Sequence, residues 1–261
     1  MNKLKCIYAI LDTDKDLGLD LKGLDDSYVY TLTCKDISAA VSDIDKGNLK
    51  VNEECAVAYG KIIENMMREY TLLPMRFGTL VKEDREVIAI LEKYYDGFID
   101  NLRQIKGKLE YGLKVLLDIK EAGFEINSSS ETKDSKSFDR LKGGSPYKKY
   151  LLEKLREHKF EEALMGKVGR IIEDIHNPLK ELSSLSKFKK MATKRIILDA
   201  AYLVEKKKKD VFIQRFKGLC KRHQKLKFLL TGPWPPYNFA SLDSRHLTGF
   251  MEPHAHARGS S

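Results

Sequence analysis

The sequence predicts an α+β protein with two domains, and three observations support this. At 261 residues the chain is long for one hydrophobic core and suits two. Strand patterns and two amphipathic helices fill the first part, which predicts an N-terminal α+β domain at residues 1–106. Strands and helices then follow in the order of a ferredoxin-like domain at residues 107–240. Residues 241–261 show no periodicity, so we expect a flexible tail there.

The N-terminal domain is predicted to hold a mixed sheet with two helices covering one face. Residues 4–11 are apolar except for one lysine, which is typical of a strand buried on both faces. Short strand patterns follow at 29–34 and 39–44, and Asn52 with two glutamates after it has the residue types of a helix start. Apolar residues recur at helical spacing in both helices: Cys55, Tyr59, Ile62, Met66 and Tyr70, then Val87, Leu91, Tyr94, Phe98, Leu102 and Ile105.

The C-terminal domain is predicted from a strand at 109–117, in which apolar residues occupy every second position. Residues 127–144 are rich in Ser, Lys, Asp and Gly, which predicts a mobile insertion. Ser145-Pro146 then begins a helix, and Asn177-Pro178 ends or bends it. The other predicted elements are a strand near 188–193, strands at 196–204 and 226–230, and a helix at 211–223.

The composition is that of a soluble globular protein, with 42% hydrophobic and 33% charged residues. No apolar run approaches the ~20 residues that span a bilayer, and the first residues read as a strand instead of a signal peptide. We therefore expect a cytoplasmic protein without a membrane partner. The four scattered cysteines favour free thiols. The formal charge of +9 permits nucleic-acid binding, but solvated helix ends and loops explain it as well.

No motif of catalysis, metal binding or cofactor binding is present in the sequence. Gly143-Gly144 lies in the polar insertion and lacks the spacing of a phosphate-binding loop. His158, His176 and His223 stand alone on predicted helices, so we expect them to be exposed or half-buried and not catalytic. The sequence therefore predicts no enzyme, no cofactor, no metal and no small-molecule ligand.

Two segments have residue types that folding alone does not explain, and the first lies at residues 72–81. Its strand pattern is interrupted by a proline and a glycine, which predicts an edge, a bulge or a sharp bend. The bend places Arg76 and Phe77 at a defined position. An arginine there is able to pair with a carboxylate of the chain, for which Glu110 is a candidate, or of a partner.

The second such segment is Trp234, Pro235, Pro236 and Tyr237, directly after Gly232-Pro233. Prolines fix φ and lack an N–H, so we expect this stretch to leave the sheet as a stiff, extended element. Its aromatic rings either pack on the chain's own domain or contact a partner. As a hypothesis, both segments form a protein-interaction site of these residues: Arg76, Phe77, Trp234, Pro235, Pro236 and Tyr237.

Six blocks of the chain, in this order, form a recognisable set: CIYAI at 6–10, DISAAVS at 36–42, LPMRFGT at 73–79, EYGLKV at 110–115, AYLV at 201–204 and TGPWPPYNF at 231–239. Together they resemble the gas vesicle accessory family that includes the F and L proteins of gas vesicle clusters. In many relatives we expect a histidine in the first helix near the position of Tyr59, and residues 127–144 and 241–261 have no clear counterpart.

The resemblance implies a non-enzymatic assembly protein with a modified ferredoxin-like C-terminal domain. Such proteins support assembly of the gas vesicle shell through contacts with the small shell protein and other accessory proteins. The main alternative is an RNA-binding protein with a ferredoxin-like sheet and a basic surface. It requires aromatic side chains on adjacent central strands, for which the chain offers Tyr111 and Tyr202. A small-molecule regulatory domain is a third option, although no ligand motif supports it.

Overall fold

The computed structural model describes residues 3–16, 21–45, 52–117, 154–155, 166–190 and 196–240. The expected insertion at 127–144 and the expected tail at 241–261 lie outside these residues. The strands are β1 (Lys3–Leu11), β2 (Tyr30–Cys34), β3 (Ile37–Asp45), β4 (Leu72–Pro74), β5 (Leu80–Val81), β6 (Lys108–Leu117), β7 (Leu185–Lys190), β8 (Ile196–Glu205) and β9 (Leu226–Trp234). The helices are α1 (Glu53–Met67), α2 (Asp84–Lys93), α3 (Tyr95–Ile105), α4 (residues 166–180) and α5 (Lys209–Arg222).

The strands form two sheets, and the chain divides into two compact units. Among the described residues, the first unit takes those up to 111 together with 203–206 and 232–240, and the second takes the rest from 112 to 231. The α+β fold class predicted from the sequence is confirmed. The domain limit near residue 106 stays a prediction.

The first sheet has the strand order β2-β3-β1-β4, and β5 also pairs with β1. A mixed sheet was expected, but the pairings within the described residues are antiparallel. The reason is that β3 and β4, which run in the same direction, lie on opposite sides of β1 and never meet. Residues 6–11 of β1 are at most 1% exposed, so this strand is buried on both faces, as predicted.

Helices lie on both faces of this sheet, where the sequence predicted one covered face. The N-cap Asn52 accepts a hydrogen bond from the Cys55 N–H (2.9 Å), and α1 then packs its apolar side on Cys6, Tyr8 and neighbouring residues. The apolar residues of α2 and α3 lie outside that cluster, and these helices contact β2, β3 and β4. They were predicted as one helix, but the backbone of Tyr94 (φ −111°, ψ 17°) leaves the helical region and separates them.

The second sheet has the strand order β7-β8-β6-β9, which is the arrangement of a ferredoxin-like βαββαβ unit. β7 supplies the strand predicted near 188–193, a few residues earlier than expected. The alternation of β6 is confirmed, because residues 111, 113, 115 and 117 are at most 3% exposed.

Two local expectations in this unit are corrected. Of the two alternatives for Asn177-Pro178, an end of the helix is wrong, because α4 continues to residue 180. The helix continues because a proline in its last turn removes only one backbone donor. In addition, the fully buried Leu179 packs this turn against the core. His176 is not exposed but 4% accessible, because its Nδ1 lies 2.8 Å from the hydroxyl of Tyr202, which gives the imidazole a buried polar partner.

Candidate protein-interaction site

The loop between β4 and β5 is a closed bend at the side of β1. The Met75 N–H donates to the carbonyl oxygen of Tyr8 (2.8 Å), and the Ile7 N–H donates to that of Thr79 (2.9 Å). Both sides of the bend are therefore bonded to the same buried strand. The interruption of the strand pattern at 72–81 is a sharp bend, as the sequence predicts.

Within this bend, Arg76 and Phe77 occupy a tight turn. The carbonyl oxygen of Arg76 accepts hydrogen bonds from the Thr79 N–H (3.1 Å) and the Thr79 hydroxyl (2.7 Å). Gly78 has φ +84°, a value that favours glycine and suits the third position of a type II turn. The Arg76 side chain is exposed and Phe77 is half-buried, so a guanidinium and an aromatic ring stand side by side on a fixed backbone.

Tyr59 of α1 contacts this turn through its hydroxyl group and its ring. Its hydroxyl lies 2.9 Å from the carbonyl oxygen of Ile7, 3.1 Å from that of Met75 and 3.2 Å from that of Arg76. Its ring meets Phe77 edge-on, with 5.3 Å between the ring centroids. Tyr59 is 2% exposed, and this burial raises the pKa of its phenol well above the ordinary value.

The sequence predicted Tyr59 only as a core residue of α1 and missed its role in the turn. The available signal was the hydroxyl, since a tyrosine on a buried helix face needs a hydrogen-bond partner inside the protein. Which carbonyl groups supply that partner depends on the tertiary contact between α1 and the 75–79 bend.

The closing segment begins as a continuation of β9. The sequence predicted the last strand to end at residue 230, but β9 runs through Gly232 and Pro233 to Trp234. β9 is the outer strand in the order β7-β8-β6-β9, and a proline without an N–H is tolerated on an outer strand. The Gly232–Pro233 peptide bond is cis.

After β9 the segment is anchored within the first unit by buried residues and a buried carboxylate. Pro235, Pro236 and Phe239 are buried, the last at 1% exposure. Glu110, which is 3% exposed, accepts hydrogen bonds from the backbone N–H (2.9 Å) and the side-chain amide (2.5 Å) of Asn238. The carboxylate considered as a partner for Arg76 therefore binds the closing segment instead.

The two aromatic rings of this segment remain accessible, at 39% exposure for Trp234 and 44% for Tyr237. Burial, with the nearby carboxylates of Glu64 and Glu110, raises the pKa of Tyr237 to about 12. Glu64 belongs to α1, so the Tyr237 hydroxyl lies within electrostatic range of the helix whose Tyr59 contacts Phe77. Of the six residues in the hypothesis, Arg76, Trp234 and Tyr237 are exposed, Phe77 is half-buried, and the two prolines form the buried base.

The Tyr237 phenol is expected to ionise near pH 12 instead of near pH 10. Its pKa is higher in the folded state, so its contribution to stability is complete below about pH 10 and is lost as the pH rises through 12. Comparing the phenolate absorbance of wild type and Tyr237→Phe during an alkaline titration measures this. A difference step centred on the ordinary tyrosine pKa would contradict the raised pKa of Tyr237.

Within the described residues, no group of His, Cys, Asp and Glu side chains is arranged to hold a metal ion. In the same part of the chain, no helix combines the length and apolar character that crossing a membrane requires. The described residues include Cys6, Cys34, Cys55 and Cys220, and all four are free thiols.

These observations define an α+β protein with a ferredoxin-like unit, in which two separate sequence segments lie near one helix of the first unit. The family described as gas vesicle synthesis protein GvpL/GvpF matches residues 5–241, and the chain belongs to this family. The resemblance carried by the six blocks is confirmed. This is a family of gas vesicle accessory proteins and not a known enzyme family.

Individual relatives agree with this assignment. Gas vesicle protein F1 of Halobacterium salinarum is 26% identical over 90% of this chain and 92% of its own length. Gas vesicle protein L1 of the same organism is 26% identical over 90% of this chain and 89% of its own length. The crystal structure of the gas vesicle protein GvpF from an Anabaena species has a TM-score of 0.79, with 22% identity, and covers 93% of this chain and all of the other. GvpF from Microcystis aeruginosa has a TM-score of 0.74, with 21% identity and the same coverage.

Proposed function

We propose that this protein supports assembly of the gas vesicle shell by binding the small shell protein and other gas vesicle accessory proteins, in the cytoplasm at growing vesicles. Membership of the GvpL/GvpF family supports a role in gas vesicle formation. The observation that carries the finer proposal is that both signature segments lie near α1 in the first unit, with Arg76, Trp234 and Tyr237 left exposed.

The geometry suits transient capture of another protein. Trp234 and Tyr237 project from a base of buried prolines and a carboxylate-bound Asn238, so little conformational entropy is lost when a partner covers them. Arg76 stands on a turn closed by two hydrogen bonds, which orients its guanidinium for a carboxylate or carbonyl group. A small apolar shell subunit with free sheet edges is prone to aggregate, and such a contact keeps it available for the growing shell.

The RNA-binding alternative loses its main support. It required exposed aromatic rings on central strands, but Tyr111 on β6 is 2% exposed and Tyr202 on β8 is fully buried. Neither ring is available to stack on a base.

Trp234→Ala is expected to weaken capture of the shell protein by about 2 kcal/mol, or roughly thirtyfold, because a large aromatic anchor is removed from the contact. The measurement is co-precipitation of the purified full chain with the gas vesicle shell protein, at low and high salt. Tyr28→Ala is the matched control, since Tyr28 is a 59% exposed aromatic of the same unit outside both segments.

Thermal unfolding of each variant separates binding from folding. A folded Trp234→Ala variant with unchanged capture would remove the closing segment from the contact. Absence of capture by the wild-type chain at both salt concentrations would refute a direct contact with the shell protein.

A further inference from the structure

Residues 207–227 form a strongly basic stretch of the second unit. They contain nine Lys and Arg residues and one acid, a net charge of +8. Within the described residues, Arg215, Lys217, Lys221 and Arg222 of α5 are exposed and form no ion pair. This differs from the first unit, where Lys5 and Lys106 are paired with carboxylates. The charge of α5 is therefore available to an external anion.

An open groove of about 430 Å³ between α4 and α5 lies beside this charge. Its apolar lining comes from Pro178, Val211 and Leu219, and its charged lining from Arg215 and Arg222. Val211 is 50% exposed although it is apolar. Positions 211, 215, 218 and 222 follow one another at spacings of four, three and four, so they form one stripe of α5 about 16 Å long.

Gly218 lies in the middle of that stripe and is not required by the fold. A Cβ at this position would meet no heavy atom within 4 Å, and the backbone there is ordinary helix. Glycine inside a helix is less favourable than alanine. Its effect is to open the groove, which allows another backbone to approach α5 closely.

Stacking of nucleic-acid bases has no support on α5. Phe212 is fully buried against Tyr202, with 5.6 Å between ring centroids, and Phe216 meets Phe228 edge-on at 6.0 Å. Single-stranded nucleic acids bind through exposed aromatic rings as well as charge. A basic, apolar-lined groove without such rings instead matches a peptide that combines carboxylates with apolar side chains.

We propose that the groove between α4 and α5 binds an acidic amphipathic helix of a partner protein. Arg215 and Arg222 are two helical turns apart, about 10 Å, and so match two carboxylates seven residues apart on the partner helix. An apolar side chain one turn beyond the first carboxylate covers the exposed Val211, and Gly218, between the two arginines, accommodates the closest approach. None of the residues lining the groove belongs to the two signature segments, and peptide binding there does not require contact with the shell protein.

The test uses synthetic helical peptides titrated into the full chain and followed by fluorescence anisotropy. The peptides share one composition of Glu, Ala and Leu, and differ in whether two glutamates stand three, seven or eleven residues apart. We expect the seven-residue peptide to bind most tightly. We expect the double variant Arg215→Glu and Arg222→Glu to raise its Kd at least about tenfold. The control Lys61→Glu and Arg68→Glu makes the same charge change seven residues apart, at Lys61 of α1 and at its C-cap residue Arg68, and should leave the Kd unchanged.

Gly218→Leu separates groove binding from simple attraction between charges. It adds apolar volume to the groove without changing any charge. A Cβ at position 218 meets no heavy atom within 4 Å, so we expect the variant to fold, and its thermal unfolding is the check. We expect it to weaken peptide binding, and to leave any binding of an oligouridylate RNA or of phosphatidylserine vesicles unchanged. The proposal would be overturned if the peptide Kd were the same for all three glutamate spacings and were unchanged by Gly218→Leu. Failure of all the peptides, with RNA or vesicles bound through Arg215 and Arg222, would also overturn it and assign the surface to that polyanion.

Discussion

Replacing Tyr59 by alanine is expected to lower the free energy of unfolding by about 4 kcal/mol, as is typical of a buried aromatic ring. Tyr59 is 2% exposed and its ring lies between those of Tyr8 and Phe77, at centroid distances of 5.2 and 5.3 Å. Tyr59→Phe keeps the ring and removes only the hydroxyl shared by four carbonyl groups. That change is expected to cost about 2 kcal/mol, because buried acceptors lose their donor.

Urea unfolding of both variants measures these losses. Tyr28→Phe is the control, since it removes a hydroxyl from a 59% exposed tyrosine and should be neutral. Hydrogen exchange adds a local measurement: the Met75 and Thr79 N–H groups, which close the turn, should exchange faster in Tyr59→Phe. A Phe variant as stable and as protected as wild type would show that Tyr59 contributes through its ring alone.

Gly232→Ala is expected to destabilise the protein by about 3 kcal/mol for two independent reasons. The backbone at Gly232 has φ +110°, which strains any residue with a Cβ. In addition, a Cβ there would lie 2.7 Å from the carbonyl oxygen of Glu110. That oxygen is backbone of a residue whose side chain also holds Asn238, so it has little freedom to move away.

Gly169→Ala makes the same chemical change on α4, where a Cβ meets no atom within 4 Å. It is expected to stabilise by about 0.5–1 kcal/mol through helix propensity. Thermal unfolding measures the stability of both variants relative to wild type, and shell-protein capture is a second readout. Equal stability of the two alanine variants would mean that the closing segment adjusts around position 232 and that its geometry is not rigid.

Most elements were predictable because their apolar residues repeat with a clear period. The alternation in β6, the residue types at the start of α1 and the continuous apolar run of β1 each predicted the observed element. The errors lie where no period operates. The break at Tyr94 separates two helices whose apolar stripe is continuous in sequence, and β9 extends through Pro233 because an outer strand tolerates a missing N–H.

The candidate site was predictable in its residue types but not in its arrangement. Arg76, Phe77, Trp234 and Tyr237 were identified because proline, glycine and aromatic residues are unusual in a strand pattern. Their relation to α1, the anchoring of Asn238 by Glu110 and the burial of Pro235 and Pro236 were not predictable. These contacts join positions far apart in the chain, and hydrophobic periodicity carries no information about such pairs.

The sequence by itself determined the α+β class, the family and the absence of any recognisable catalytic motif, because these follow from local patterns and ordered blocks. Only the tertiary structure decided which side of each pattern faces the interior. It buried Tyr59 and Glu110 as the partners of the two signature segments, and it left Arg76, Trp234 and Tyr237 exposed. It also gathered the unpaired basic residues of α5 beside an apolar groove. The physical reason is that burial and hydrogen-bond partners are properties of packed, distant segments, whereas helix and strand periods are properties of neighbouring residues.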